Sequence, residues 1–512
     1  MFTSVMSATI FGIDARLVST ETDLSDGGLP VFEMVGFLGS EVRESKERIR
    51  TALKNSGFIL PPKRITVNLS PADMRKSGTS FDLAVALSLI SAMGVIPSEA
   101  LKNTVIAGEL SLSGNVLKIS GVLSMALQAR DRGIRRFILP SENAAEGSAV
   151  KGIEIIGVSS VTEAVEFLNG TKQIAPTEYH EDRSAPVREY DVDFADVGGQ
   201  TMARRAVEVA VSGSHNLLLI GPPGSGKTMI ARRIPTIMPP LTERESLELT
   251  RMYSAAGLLR SADPLRLRPF VNAHHTATPQ ALAGGGSVPG PGLCSLALYG
   301  TLFLDELPEF SRPALEVLRE PLEDKKISIA RASWKVTFPA DFLLCAAMNP
   351  CKCGFYPDRT RCRCTTPEIR RYLSRVSRPL LDRIDISCES EEIGFRELSE
   401  GSGGGAESSE AIRARVADAF EIQRKRFSET PLRFNSEISG RNIREFCVIG
   451  EREERLLEEA FREMNLSARG YHRILKVART IADLEHSDRI GCRHLSEAIS
   501  YRSIDGRYWN GD

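Results

Sequence analysis

The spacing of apolar and polar positions changes character twice along the chain. Up to about residue 170, short apolar runs such as "RITVNL", "RRFILP" and "IEIIGV" alternate with "SFDLAVALSLISAMG" and "LSMALQARDRG", where apolar residues recur every three or four positions. The runs predict strands and the periodic stretches helices, hence a mixed α/β domain. "TKQIAPTEYHEDRSAPVREYDVDF" is polar, proline-bearing and aperiodic, and predicts a linker over 171–190. From 191 to 395 the apolar runs "NLLLIG", "TLFLDE" and "DFLLCAAMN" are unbroken, as in strands of a parallel sheet covered on both faces. "ELSEGSGGGAESSE" has the composition of a flexible connection, placed at 396–410. From 411 to 507 the pattern is helical, in "EAIRARVADAFEIQRKRF", "EREERLLEEAFREMN" and "ARGYHRILKVARTIADLEHS". The predicted order is α/β, α/β, α, with no repeat of solenoid period.

Length supports that division, since 512 residues exceed what one hydrophobic core organises. Charge is uninformative about partners. The 65 Lys and Arg nearly cancel the 66 Asp and Glu, so any basic surface must be local. The N-terminal "MFTSVMSATIFGIDARLVST" lacks a positive region before its apolar stretch and meets Asp14 and Arg16 early, unlike a signal peptide. No apolar run is long enough to span a bilayer, so no membrane partner is expected. Nine cysteines, an odd number, in a chain without an export signal argue against a disulfide framework and for a cytoplasmic address.

"LLLIGPPGSGKTMIARRI" runs from a buried strand through G-x-x-x-x-G-K-T into a helix, the setting that a phosphate-cradling loop requires. Gly221, Pro222, Pro223, Gly224, Ser225, Gly226, Lys227 and Thr228 form the expected ATP-binding loop. Its glycines let backbone N–H groups approach the phosphates, Lys227 neutralises their oxygens, and Thr228 ligates magnesium. "GTLFLDELPEF" ends a strand on Asp305, a second magnesium ligand, and Glu306, placed to polarise the attacking water. Asn349, after the strand "FLLCAAMN", is a candidate for sensing the γ-phosphate, although asparagine before proline also forms ordinary turns. Arg383 in "RPLLDRID" is a candidate for the charge that a neighbouring subunit supplies during hydrolysis, or pairs locally with Asp382 or Asp385. Arg469, Arg473 and Lys476 lie at helical spacing where one could close over the nucleotide.

These motifs in this order resemble the AAA+ ATPases of the magnesium-chelatase-like branch, and specifically the YifB/ComM family. The resemblance rests on "GPPGSGKTMIARRIPTIMPPLT", "TRMYSAAGLL", "RPFVNAHHT", "ALAGGGSVPGPGLCSLALYGTLFLDELPEF", "AAMNPCKCG", "RYLSRVSRPLLDRID" and "SARGYHRILKVARTIADLE", and covers nearly the whole chain. It implies that Asn349 is the sensor, Arg383 the arginine finger acting in trans, and Arg469 the arginine of a helical lid. It also implies ATP and magnesium as cofactors, a homo-hexameric ring, and a motor on branched or single-stranded DNA. The activity it implies is branch migration in recombination or natural transformation. A chelatase-type motor driving metal insertion into a tetrapyrrole is the alternative; it is disfavoured because such motors lack a counterpart of the first domain. Two departures stand out: "VNAHH" where the family has "RAPHH", and "LALYG" where it has "LAHNG".

The stretch "REPLEDKKISIARASWKVTFPADF" reads as a β-hairpin ahead of the sensor strand, with Lys325, Lys326, Arg331, Lys335 and Trp334 placed to grip a DNA strand or simply to form a solvated face. Residues 1–170 resemble the proteolytic domain of Lon, a Ser-Lys peptidase, through "KSGTSFDLAVALSLISAMG" and "AGELSLSGNVLKISGVLSMALQARDRGIRRFILPSEN". Ser80 falls at the nucleophile, but Leu123 stands where the lysine belongs and Lys118 is five residues earlier. A serine without a base is not activated, so peptidase activity is not expected, and Ser80 is expected to cap the following helix. "CKCGFYPDRTRCRC" brings Cys351, Cys353, Cys362 and Cys364 into two C-x-C pairs. A zinc site, a reversible disulfide, and reduced cysteines without a role all remain open.

Overall fold

The computed structural model describes residues 1–26, 29–179, 190–259, 263–286, 289–331, 334–392, 407–464 and 466–509. Two sheets organise it. The first has seven strands in the order Phe32–Val35, Arg64–Ser70, Asp14–Ser25, Phe2–Phe11, Thr104–Ile106, Arg136–Pro140 and Glu154–Val158. The second has five, in the order Phe270–Ala273, Thr301–Leu304, Leu343–Met348, Leu217–Ile220 and Ile386–Glu389. Every pairing in the second sheet is parallel. Its strands Leu217–Ile220, Thr301–Leu304 and Leu343–Met348 are buried at every position, as sheets covered on both faces demand. The first sheet is mixed, because Phe2–Phe11 and Asp14–Ser25 form an antiparallel hairpin turning at Gly12, where φ is +72°.

The first unit packs around helix Asp82–Ala92, all of whose residues are buried. Asp82 goes in with Arg48, whose Nε lies 2.6 Å from its carboxylate, and also accepts from the Leu110 amide at 3.2 Å. Ser80 does not cap this helix. Its hydroxyl donates to the Ala8 carbonyl at 3.2 Å, because Phe81 occupies the capping position and the strand Phe2–Phe11 offers a nearer acceptor. Leu123 is buried, and its amide donates to Glu146 Oε1 at 3.1 Å.

Helices Ser409–Arg426, Glu451–Glu463, Ala468–Leu484 and Cys492–Trp509 follow. They have no core of their own: Val416, Ile474 and Ile481 bury against Val209, Leu217 and Ile234 beside the second sheet. Burial of Asp483 is offset by Arg426, with Nη1 at 2.7 Å, and by Arg479, with Nε at 3.1 Å. Thr480 Oγ1 lies 2.8 Å from His215 Nε2, tying helix Ala468–Leu484 to the segment that enters strand Leu217–Ile220. Of the linker expected at 171–190, residues 171–179 carry no helix or strand and 180–189 lie outside the described residues. Most of the one expected at 396–410 also lies outside them. Helix Ser409–Arg426 starts inside that expected linker, capped by Ser408, whose hydroxyl accepts from the Ala411 amide at 3.3 Å.

The first unit docks on helix Glu243–Ala255 and on a hairpin of strands Lys326–Arg331 and Trp334–Pro339. Ser254 donates to Glu146 at 2.5 Å and its carbonyl accepts from the Gly121 amide at 3.0 Å. At the turn of the first hairpin, a Cβ on Gly12 would fall 2.6 Å from Val336 Cγ1, so only glycine permits that approach.

Candidate nucleotide site

The phosphate loop leaves strand Leu217–Ile220 and enters helix Lys227–Ile237. Gly224 and Gly226 both adopt φ of +80°, a left-handed conformation that glycine takes without penalty and that turns successive N–H groups towards one side. Gly221 is needed for space, since a Cβ there would meet the Ser390 carbonyl oxygen at 2.4 Å. The Ser225 carbonyl accepts from Ser390 Oγ at 2.7 Å and from Gln200 Nε2 at 3.2 Å, which anchors the loop from two sides.

Lys227 is buried, and its amine donates to the carbonyls of Gly221 and Pro222, both at 2.8 Å. Ser225 Oγ and Asn349 Oδ1 are each 3.3 Å away. Burial lowers the Lys227 pKa to about 8, against a smaller upward pull from Asp305. The parallel pairing of Leu217–Ile220 with Leu343–Met348 is what brings Asn349, at the end of the latter, beside the loop.

Thr228 Oγ1 donates to Asp305 Oδ2 at 2.7 Å, so a hydroxyl from the first turn of helix Lys227–Ile237 and a carboxylate just past strand Thr301–Leu304 meet at one point. Magnesium fits this pair: it takes hard oxygen donors, keeps most of its shell for water and phosphate, and needs only one or two protein ligands. Glu306 follows with φ of +52°, an uncommon conformation for a side-chain-bearing residue and a form of strain that clusters at working sites. Its amide donates to Asp305 Oδ1 at 2.9 Å, and its Oε2 lies 3.3 Å from His275 Nδ1.

His275 is not among the residues singled out along the sequence, although its histidine pair in "VNAHH" is shared with the family's "RAPHH". Strand register places it. Ala273 pairs with Leu304 across parallel strands, and two residues further on the same register sets His275 beside Glu306. The His274 ring lies 4.2 Å from that of His275.

Arg383 and Arg469 are brought together elsewhere. They line one cleft of about 740 Å³ with Arg473, Lys476, Glu323 and Asp385, and no residue of the phosphate loop is among its lining residues. Arg383 pairs with Glu323 and donates to the Pro379 carbonyl at 2.7 Å. Arg473 stands 3.7 Å from Asp385 and 3.8 Å from Asp382. Lys476 donates to the Ser436 carbonyl at 2.6 Å. Burial holds the Lys476 pKa below the ordinary lysine value, with Asp385 pulling it upward.

The four hairpin candidates separate. Lys326 and Lys335 are exposed and lie on one face by strand alternation, flanking the Ser328–Thr337 hydroxyl pair at 3.3 Å. Arg331 falls on the other parity, with its guanidinium 5.9 Å from the Trp334 ring. Lys325 is engaged by Asp341 at 3.3 Å. The four loop cysteines converge, every Sγ lying within 4.8 Å of the others.

Fold and site define an AAA+ ATPase of magnesium-chelatase type. The family model described as magnesium chelatase, subunit ChlI, matches residues 193–398, a C-terminal model of the same subunit matches 406–502, and one described as subunit ChlI of Mg-chelatase matches 20–143. Contrary to the expectation from sequence, the first domain therefore does not by itself set the chain apart from the chelatase motors. The chain belongs to the YifB/ComM family. It is 40% identical over 501 residues to the uncharacterized protein YifB of Salmonella typhimurium, which covers 98% of this chain and 97% of that one. It is 39% identical over 502 residues to the competence protein ComM of Haemophilus influenzae, with the same coverage of each. A Lon protease of Koribacter versatilis is 31% identical over 169 residues, 30% of this chain and 20% of that protein. Membership implies use of ATP and magnesium, and oligomeric assembly. No described helix is long and apolar enough to cross a membrane.

Proposed function

We propose that the protein is an ATP-driven ring motor acting on DNA, a branch-migration helicase or translocase serving recombination or natural transformation. The observation that carries the reading is the meeting of Lys227, Thr228, Asp305 and Asn349 at one loop, in a chain similar from end to end to a competence protein. In this reading magnesium, held by Thr228 and Asp305, supplies Lewis-acid stabilisation of phosphoryl oxygens when bound. Lys227 turns from its own carbonyls to the phosphates. Glu306 orients the attacking water and accepts its proton, with His275 setting the direction of the carboxylate. Asn349 links the γ-phosphate to the sensor strand.

Arg383 and Arg469 share a cleft lined without the chain's own phosphate loop, which supports a composite site in which both serve the nucleotide of a neighbouring subunit in a homo-hexamer. Lys326 and Lys335, exposed together, are the strongest DNA candidates on the hairpin. The Lon-like domain is read as a non-peptidase scaffold, since Ser80 bonds to a backbone carbonyl and Leu123 replaces the base. The cytoplasm is its expected address.

The test is ATP turnover with and without a four-way DNA junction. The reading expects stimulation by the junction, lost in Lys227→Ala and weakened in the Lys326→Ala, Lys335→Ala double variant. Junction DNA that neither binds nor stimulates an active ATPase refutes the DNA motor. Stimulation instead by partner subunits of a tetrapyrrole chelatase would favour the alternative.

A further inference from the structure

The loop 351–364 follows the sensor strand and contains no helix or strand of its own. Something other than backbone pairing must hold it, and its four cysteines point inward to a common centre. Cys351 Sγ lies 3.3 Å from Cys353 Sγ and 3.7 Å from Cys362 Sγ, and Cys353 and Cys362 are 3.6 Å apart. A tetrahedral zinc ion with bonds of about 2.3 Å sets its sulfurs about 3.8 Å apart, close to this spacing. None of the four is in a disulfide.

Sulfur-only donors select zinc over magnesium or calcium. A cluster of several irons is larger than one ion and would spread four thiolates farther apart. Two further features suit a bound metal. The Tyr356 amide donates to Cys351 Sγ at 3.4 Å, which favours the thiolate and fixes its direction. Four thiolates on a divalent ion carry a net charge of about −2, and the loop, with Lys352, Arg359, Arg361 and Arg363 against Asp358, is basic even with Arg361 engaged by Glu392.

The loop also touches the nucleotide machinery. At Gly354, φ is +88° and a Cβ would lie 2.3 Å from Pro223 Cδ, so its backbone rests against the phosphate loop. On its other side Tyr356 meets Tyr508 of helix Cys492–Trp509 edge-on at 5.9 Å, and Arg361 pairs with Glu392 at 2.7 Å.

We propose that Cys351, Cys353, Cys362 and Cys364 hold one zinc ion in a closed tetrathiolate site, and that the ion braces the phosphate loop through the contact of Gly354 with Pro223. The first part is independent of the motor reading; the second rests on Pro223 belonging to a nucleotide loop.

Full-length protein purified without chelator should contain one zinc per chain by elemental analysis. Exchange for cobalt should give the intense thiolate-to-metal absorption and visible bands of a four-sulfur tetrahedral site. Cys364→Ser should lose the zinc and bind a fluorescent ATP analogue about tenfold more weakly. Should that variant fail to fold, wild-type protein stripped of metal and shown to be folded by circular dichroism takes its place. Zinc below about 0.1 per chain with all four thiols reacting freely overturns the site, as does a stoichiometric metal other than zinc. A folded, metal-free protein with unchanged analogue affinity overturns the brace. A zinc-bearing wild type that binds no analogue sinks the nucleotide reading and leaves the metal site standing.

Discussion

Replacing Lys227 by methionine removes a buried charge while keeping most of the side chain's volume, and the consequence for stability has a definite sign. Burial lowers the lysine pKa from 10.5 to about 8, a displacement that costs the nucleotide-free fold about 3 kcal/mol while the ammonium is charged. Below pH 8 both folded and unfolded chains hold the proton and the whole cost is present. Between pH 8 and 10.5 the unfolded chain holds a proton that the folded one has released, so folding becomes more favourable as pH rises. About 2 of the 3 kcal/mol should be recovered between pH 7 and 9.5. Lys227→Met never incurs this cost, but it leaves the Gly221 and Pro222 carbonyls without their donor, which takes back about 1–3 kcal/mol at any pH. The net difference at pH 7 is therefore small, and its pH dependence is the informative quantity. Both tryptophans, Trp334 and Trp509, belong to the hairpin and the last helix, so urea unfolding followed by their fluorescence reports this part of the chain. Wild type should gain on Lys227→Met by about 2 kcal/mol from pH 7 to 9.5. A difference that stays constant within about 0.5 kcal/mol, or moves in the variant's favour, refutes the burial argument. The same titration weakens wild-type nucleotide binding by about tenfold for each pH unit above 8, because the phosphates need the ammonium.

His275→Ala should lower kcat about tenfold with nucleotide Kd unchanged, since it frees Glu306 without touching the phosphate loop; a shift in Kd alone would assign His275 to binding. Arg383→Ala should bind nucleotide normally and lose about 10³-fold in turnover. When it is mixed with Lys227→Ala subunits under exchange, about a quarter of the subunit boundaries regain both halves of a site, and activity returns. A mixture as inactive as its parts would place Arg383 in service of its own subunit.

The nucleotide loop was legible along the chain because its chemistry is local: strand, glycines, Lys227 and Thr228 are contiguous, and unbroken apolar runs announced the parallel sheet around them. Helices Ser409–Arg426, Glu451–Glu463 and Ala468–Leu484 were equally legible from their period, whereas Cys492–Trp509 was not singled out. The hairpin of strands Phe2–Phe11 and Asp14–Ser25 was not, since its buried positions include Thr3, Ser7, Thr20 and Thr22, small polar residues that carry little hydrophobic signal. The cap expected of Ser80 failed for a related reason: a hydroxyl takes whichever acceptor the fold brings near, and that acceptor came from a strand 72 residues away.

Long-range pairing accounts for the remainder. Spacing left open which of Arg469, Arg473 and Lys476 could close over a nucleotide, and the family resemblance pointed to Arg469; docking of its helix through Arg473 and Thr480 sets Arg469 in one cleft with Arg383. Register between parallel strands brought His275 to Glu306, and chain reversal gathered four cysteines whose spacing left three readings open. Contiguous residues carry their own geometry, so motif and period suffice for them. Residues as distant as His215 and Thr480, 265 positions apart, meet only where strand order and helix docking put them, and those depend on burying apolar surface over the whole molecule.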